Sequence, residues 1–155
     1  MLKMKPMKNF GPPNILLVDD DRTFLTMLER ELRDCNNNFC ILTAENGERA
    51  LKVLESAHVD LVVTDLNMPV MNGYDLLSHM KKKYPNIPVI VISGFLYPGL
   101  EATLRTLGAS QSIDKPSLSV NALGEMILKR WQGVQAEEKG GEEGAMGTGL
   151  DFVNS

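Results

Sequence analysis

Five side chains able to do chemistry stand directly after short apolar runs. Asp19 and Asp20 follow Ile15–Val18 (ILLV), and Asp65 follows Leu61–Val63 with Thr64 between. Ser93 closes Val89–Ile92 (VIVI), and Lys115 comes two residues after Ile113. Apolar runs rich in β-branched residues mark strands buried on both faces. In a parallel sheet all carboxyl ends point the same way, so the groups that follow the strands converge where ligands bind in open α/β sheets. Three carboxylates packed together repel, at about 4 kcal/mol per pair for ~4 Å separation and an effective dielectric near 20. A hard divalent cation with oxygen ligands relieves that repulsion. A carboxylate, a Mg²⁺-type ion, a lysine and a hydroxyl are the parts of phosphoryl transfer. The carboxylate can act as a nucleophile, and the metal and lysine neutralise charge spread over the phosphoryl oxygens. The simpler reading, in which Asp20 and Asp21 only cap a helix, explains one acid. It leaves a third at the end of the adjacent strand.

The elements that must position these groups alternate along the chain. Arg22 to about Asp34 is helical, with Leu25, Leu28 and Leu32 at spacings of three and four. Asp20 or Asp21 can cap its start. Phe39–Leu42 is a second strand, and Asn46–Gly47 precedes a helix from Glu48 to about Ala57. Pro69 and Gly73 end the strand carrying Asp65, so a loop must follow. A helix from Tyr74 to about Lys83 buries Leu76, Leu77 and Met80. Pro98–Gly99 delays the next helix, whose face is Leu100, Leu104 and Leu107 and which Gly108 ends. Ala109–Ile113 is polar enough to be an edge strand, and a last helix spans about Leu118 to Trp131. Five alternations give an α/β, doubly wound parallel sheet with five helices. The most apolar strands are central, which a flavodoxin-like order of 2-1-3-4-5 satisfies.

The 155 residues fit one domain with tails, and 43% hydrophobic content is ample for its core. Residues 1–13 read as a flexible, mildly basic arm, and residues 132–155 as a disordered, acidic, Gly-rich tail or linker. From Gly133 onward there are five acids and one base, so the net charge of −4 belongs to the tail and the body is neutral. That neutrality excludes a bulk electrostatic case for nucleic-acid binding. No apolar run approaches the ~20 residues a membrane span needs, and the start has no apolar signal core. Two cysteines, Cys35 and Cys40, read as buried or free thiols in a reducing compartment, so the expected setting is cytoplasmic. His58 and His79 lie on helices away from the acids and read as solvated. The run Lys81–Lys83 reads as a solvated helix end that suits the dipole.

The segments ILLVDDD, VVTDLNMPVMNG, VISG and DKP, in this order and spacing, resemble the receiver domain of bacterial two-component response regulators over about residues 14–131. The resemblance implies that Asp65 is the phosphoacceptor. It implies that Asp20 binds Mg²⁺ directly, Asp19 through a water, and Asn67 through its backbone carbonyl. Ser93 and Lys115 would engage the phosphoryl group, and the Lys115–Pro116 bond would be cis. Receivers usually carry an aromatic residue three before the lysine, and here that position is Ser112. A switch carried by the Ser93–Gly99 loop is therefore expected, with the last strand nearly static.

The implied function is a phosphorylation-dependent switch charged by a histidine kinase or a histidine phosphotransfer protein. It would act on an output partner through protein contacts, as a monomer or a phosphorylation-dependent dimer. It would catalyse only its own phosphorylation and dephosphorylation. Three rivals are a degenerate receiver acting as an adaptor, the front of a longer response regulator, and an aspartate-nucleophile phosphatase of the haloacid-dehalogenase type. The intact acid cluster argues against the first. The third needs an acid two residues after the nucleophile, where Asn67 stands.

Overall fold

The apolar runs form strands, and the segments between them coil into helices. The computed structural model describes residues 11–35 and 38–133. Of the arm expected over residues 1–13 and the tail expected over 132–155, residues 1–10 and 134–155 lie outside the described residues; Pro13 is buried with its carbonyl accepting the Cys40 N–H, and residues 132–133 are helical, so both segments are shorter than expected. In chain order the elements are β1 (Asn14–Val18), α1 (Arg22–Cys35), β2 (Cys40–Ala44), α2 (Gly47–Ser56) and β3 (Leu61–Thr64). Then come α3 (Gly73–Lys83), β4 (Val89–Ser93), α4 (Leu100–Leu107) and β5 (Gln111–Asp114). A 3₁₀ turn over Lys115–Ser117 leads into α5, helical from 120 to the last described residue, 133.

All strands are parallel, in the order β2-β1-β3-β4-β5, the arrangement expected. The central strands β1, β3 and β4 are buried almost throughout, whereas β2 is exposed along most of its length and β5 is half-buried. Alternate side chains of the central strands serve two cores. Leu16, Val18, Val62, Val89 and Val91 pack against α2, α3 and α4 through Ala50, Leu54, Leu76, Leu77, Met80, Leu100 and Leu104. On the other face Ile15, Leu17, Leu61, Val63, Ile90 and Ile92 meet α1 through Leu25, Leu28 and Leu32, and α5 through Leu123 and Ile127. Each such fully buried aliphatic side chain stabilises the fold by roughly 1.5–3 kcal/mol. Among the described residues both faces of the sheet are thus covered, and its carboxyl end is where ligands bind in open α/β sheets.

Boundaries shift where tertiary pairing overrides local pattern. Phe39 was expected to begin the second strand, but it points into the α1 side of the core, and β2 starts at Cys40, opposite Asn14. β5 begins two residues later than expected because Ala109 closes the turn after α4, its N–H bonded to the Leu104 carbonyl. The helix starts are capped by side chains. Asp21 accepts the Phe24 N–H at 3.1 Å, Asn46 the Arg49 N–H and Asn72 the Asp75 N–H, both at 2.9 Å. α4 differs: its N-cap is Gly99 at φ 91°, with no side-chain bond to its first turn. Cys35 and Cys40 are both free and exposed. His79 is exposed, and His58, on the turn after α2, is exposed and bonded to Asp60 at 2.7 Å. Among the described residues no helix is long and apolar enough to cross a membrane.

Candidate functional site

The β1–β3 register pairs Val18 with Thr64, so the next residues, Asp19 and Asp65, sit side by side at the ends of neighbouring strands. Backbone bonds hold both in place. The Asp19 N–H donates to the Ala44 carbonyl at 3.1 Å, and the Asp65 N–H to the Val18 carbonyl at 2.9 Å. Asp20 follows Asp19 and is exposed. One carboxylate oxygen from each of Asp19, Asp20 and Asp65 lies within 4.8 Å of the other two. Asp21 is not in this cluster; it is the cap of α1.

Lys115 reaches the acids from the far edge of the sheet. Its Nζ donates to Asp19 Oδ2 at 2.7 Å and to Asp65 Oδ2 at 3.3 Å. The remaining oxygens have backbone donors: Asp19 Oδ1 accepts the Asp21 N–H at 2.9 Å, and Asp65 Oδ1 the Leu66 N–H at 2.7 Å. Three carboxylates face one ammonium, an excess of two negative charges. With each oxygen pair no farther apart than 4.8 Å, the Coulomb repulsion per pair is about 3 kcal/mol or more for an effective dielectric of ~20. Burial and neighbouring charge act on Asp19 and Lys115. Burial pushes the Asp19 carboxyl up, and the charge of Asp65 adds to the rise, outweighing the pull of Lys115 and the Asp21 N–H. Burial draws the Lys115 ammonium down, but its bonds and charges toward Asp19 and Asp65 prevail, so it ends above its ordinary value. A dense set of hard oxygen donors with surplus negative charge fits a divalent ion such as Mg²⁺ and does not fit a soft one.

The loop after Asp65 is pressed against it. The Gly73 N–H donates to the Leu66 carbonyl at 2.8 Å, and a Cβ on Gly73 would stand 2.2 Å from the Asp65 carbonyl oxygen. Between them Val70 adopts φ 69° with the Met71 N–H bonded to the Pro69 carbonyl at 2.8 Å, a strained γ-turn for a β-branched residue. The Met71 carbonyl in turn accepts the Gly47 N–H at the start of α2. Asn67 lies in this loop with its side chain exposed.

The expected residues thus divide. Asp19, Asp20, Asp65 and Lys115 come together. Ser93 is buried at the end of β4, but its hydroxyl is bonded to the Phe95 backbone, donating to the carbonyl at 3.3 Å and accepting the N–H at 3.4 Å. The Lys115–Pro116 bond is trans, against the cis form expected. Trans is the ordinary preference before proline by ~0.5–1 kcal/mol, and Lys115 reaches both acids with it. One neighbour escaped the sequence reading. Phe24, on the first turn of α1, sets its ring 4.5 Å from Lys115 Nζ. An aromatic three residues after the cap, on a helix leaving the acidic strand end, is the signal that could have found it.

A family model described as the response regulator receiver domain matches residues 15–128. The protein-glutamate methylesterase/protein-glutamine glutaminase of Bacillus subtilis is 39% identical over 109 residues, covering 69% of this chain and 30% of that protein. The chain spans about a tenth to a third of the length of curated relatives such as this one. Among solved structures, a CheY-like receiver domain protein from Methanospirillum hungatei superposes with a TM-score of 0.74 at 25% identity, covering 81% of this chain and 98% of that one. The response regulator TrrA of Thermotoga maritima, solved in complex with Mg²⁺-BeF, gives 0.66 at 31% identity, covering 76% and 98%.

Proposed function

The chain belongs to the response regulator receiver domain family, and from that premise we propose that it is a signalling switch that takes a phosphoryl group onto Asp65. The observation that carries the reading is the triangle of Asp19, Asp20 and Asp65 with Lys115 spanning Asp19 and Asp65. The donor is a phosphohistidine on a histidine kinase or phosphotransfer protein. In the transfer a bond forms between Asp65 and phosphorus while the phosphorus–nitrogen bond of the donor breaks, its electron pair staying on the imidazole. Asp65 Oδ1 is engaged by the Leu66 N–H, and Oδ2 is shared with Lys115, whose 3.3 Å contact is long enough to be exchanged for a phosphoryl oxygen.

Asp20, Asp65 and the Asn67 carbonyl would hold Mg²⁺, with Asp19 acting through a water. When bound, the ion supplies positive charge to the phosphoryl oxygens. Lys115 would neutralise charge on the phosphoryl oxygens, and Asp19 keeps the ammonium in place while Asp65 changes partners. Ser93 can turn its hydroxyl from Phe95 to the phosphoryl group, because both of its present bonds are long. That movement would carry the signal into residues 94–99. Phe95 and Tyr97 there are exposed, Gly94 has open space around it, and α4 begins without a side-chain cap. The output leaves through contacts with a partner protein, and the chain catalyses only its own phosphorylation and dephosphorylation.

Acetyl phosphate with Mg²⁺, followed by intact mass, tests the acceptor. One phosphoryl group should add to the parent protein and none to Asp65→Asn. Full labelling of that variant would overturn the assignment.

A further inference from the structure

Phe24 stands outside the acid–lysine set yet touches it. The Asp21 cap receives the Phe24 N–H and so fixes the first turn of α1 and the direction in which the ring leaves it. The ring is half-buried and packs against the core face that includes Leu25 and Leu28. Lys115 Nζ lies 4.5 Å from the ring centroid, within cation–π range. An ammonium has three N–H donors. Asp19 Oδ2 and Asp65 Oδ2 take two of them, and the ring fills part of the remaining shell.

We propose that Phe24 is a positioning residue for Lys115, its ring face holding the ammonium beside Asp65 while the carboxylate gives way to the phosphoryl group. The inference rests on Asp65 being the acceptor. A lysine is a point charge on a flexible four-carbon stem, so its aim must come from its surroundings. Of its two anionic partners, Asp65 changes during transfer, and Asp19 is shared with the metal site. The ring contact depends on neither. It attracts the ammonium whichever oxygen the ammonium is bonded to, and its apolar face keeps water from that side of the pair. The last strand offers no aromatic help, because the residue three before Lys115 is Ser112. Among the described residues Phe24 is the ring against Lys115.

The test uses the full chain and two readouts. In the metal-free, unphosphorylated protein the Lys115 Cε protons should resonate upfield of those of the exposed lysines. Phe24→Tyr should keep that displacement and Phe24→Leu should lose it. With acetyl phosphate at saturating Mg²⁺, Phe24→Leu should be phosphorylated on the order of fivefold more slowly, the worth of one partly desolvated cation–π contact. Phe24→Tyr should stay within about twofold of the parent. Should the leucine variant not fold, Phe24→Met takes its place. Unshifted Lys115 protons in the parent would overturn the proposal, as would an unchanged rate in the leucine or methionine variant. Equal slowing by tyrosine and leucine would assign the ring to packing alone and overturn it as well. If the parent accepts no phosphoryl group, the acceptor reading has failed, and the proton shifts still decide whether the ring holds Lys115.

Discussion

Adding one methyl group at Gly73 should damage both the fold and the phosphoryl site. Gly73 does not lie at positive φ, so the requirement for glycine is steric. A Cβ there would stand 2.2 Å from the Asp65 carbonyl oxygen, 2.9 Å from Leu66 Cα and 3.1 Å from the Asp65 carbonyl carbon. Ordinary contact begins near 3.4 Å, and all three atoms are backbone. Neither side can yield freely. Asp65 is tied into the sheet through the Val18 carbonyl, and α3 is anchored by Leu76, Leu77 and Met80, each at most 1% exposed. Relief requires parting Gly73 from Leu66, which forfeits a hydrogen bond worth about 0.5–1.5 kcal/mol. It also requires shifting packed groups, at about 1–3 kcal/mol. The stiffer unfolded chain of alanine returns about 0.4–1 kcal/mol. Gly73→Ala should therefore destabilise the domain by roughly 0.5–4 kcal/mol, centred on ~2 kcal/mol. In urea that is a fall in midpoint on the order of 1 M for an m-value near 2 kcal/mol/M. Displacement of Asp65 should also slow labelling by acetyl phosphate, by up to about 100-fold if the shift reaches 1 Å. Gly94→Ala is the control: nothing lies within 4 Å of its Cβ position, so only the unfolded-chain effect remains and its stability should rise by about 0.4–1 kcal/mol. A Gly73→Ala protein as stable as that control, and labelled at the parent rate, would refute the argument.

Mg²⁺ should raise the melting temperature of the parent, by about 2.7 kcal/mol of stability at 100 times its dissociation constant. Asp20→Ala should lose most of the gain, and an unchanged gain would remove Asp20 from the ligand set. Asp19 binds its proton more tightly in the fold than in the unfolded chain, so its contribution to stability is present in acid and lost as pH rises through the folded value. Asp19→Asn should accordingly stabilise the metal-free domain at pH 7, and the advantage should vanish below about pH 4, which paired urea titrations would show. A less stable Asn variant at neutral pH would contradict that sign. Amide shifts with and without a beryllofluoride mimic should move most over residues 93–99 and little over β5. The reverse pattern would show that the switch runs through the last strand.

Much of this molecule is legible in local sequence. ILLV, LVV and VIVI can be buried only in a sheet covered on both faces, so their order in the chain, with helices between, determined the doubly wound topology and which strands lie at its centre. The same logic located Asp19, Asp65, Ser93 and Lys115, because a residue just past a parallel strand must emerge at the carboxyl edge. The bounds of α4 followed from Gly99, which precedes its first turn, and Gly108, whose left-handed conformation ends it. Side-chain pairing was decided elsewhere. Asp20 and Asp21 are neighbours of one type, and only the direction in which α1 leaves β1 makes one a cap and the other a cluster member. The separation of 96 positions between Asp19 and Lys115 encodes no distance. Packing of β5 and its 3₁₀ turn put the ammonium 2.7 Å from Asp19 and 3.3 Å from Asp65, and brought the Phe24 ring over it. The approach of Gly73 to the Asp65 carbonyl likewise exists only once α3 has docked. Periodicity and turn chemistry report what each segment prefers by itself; contacts between segments far apart in the chain come from how both faces of the sheet are filled.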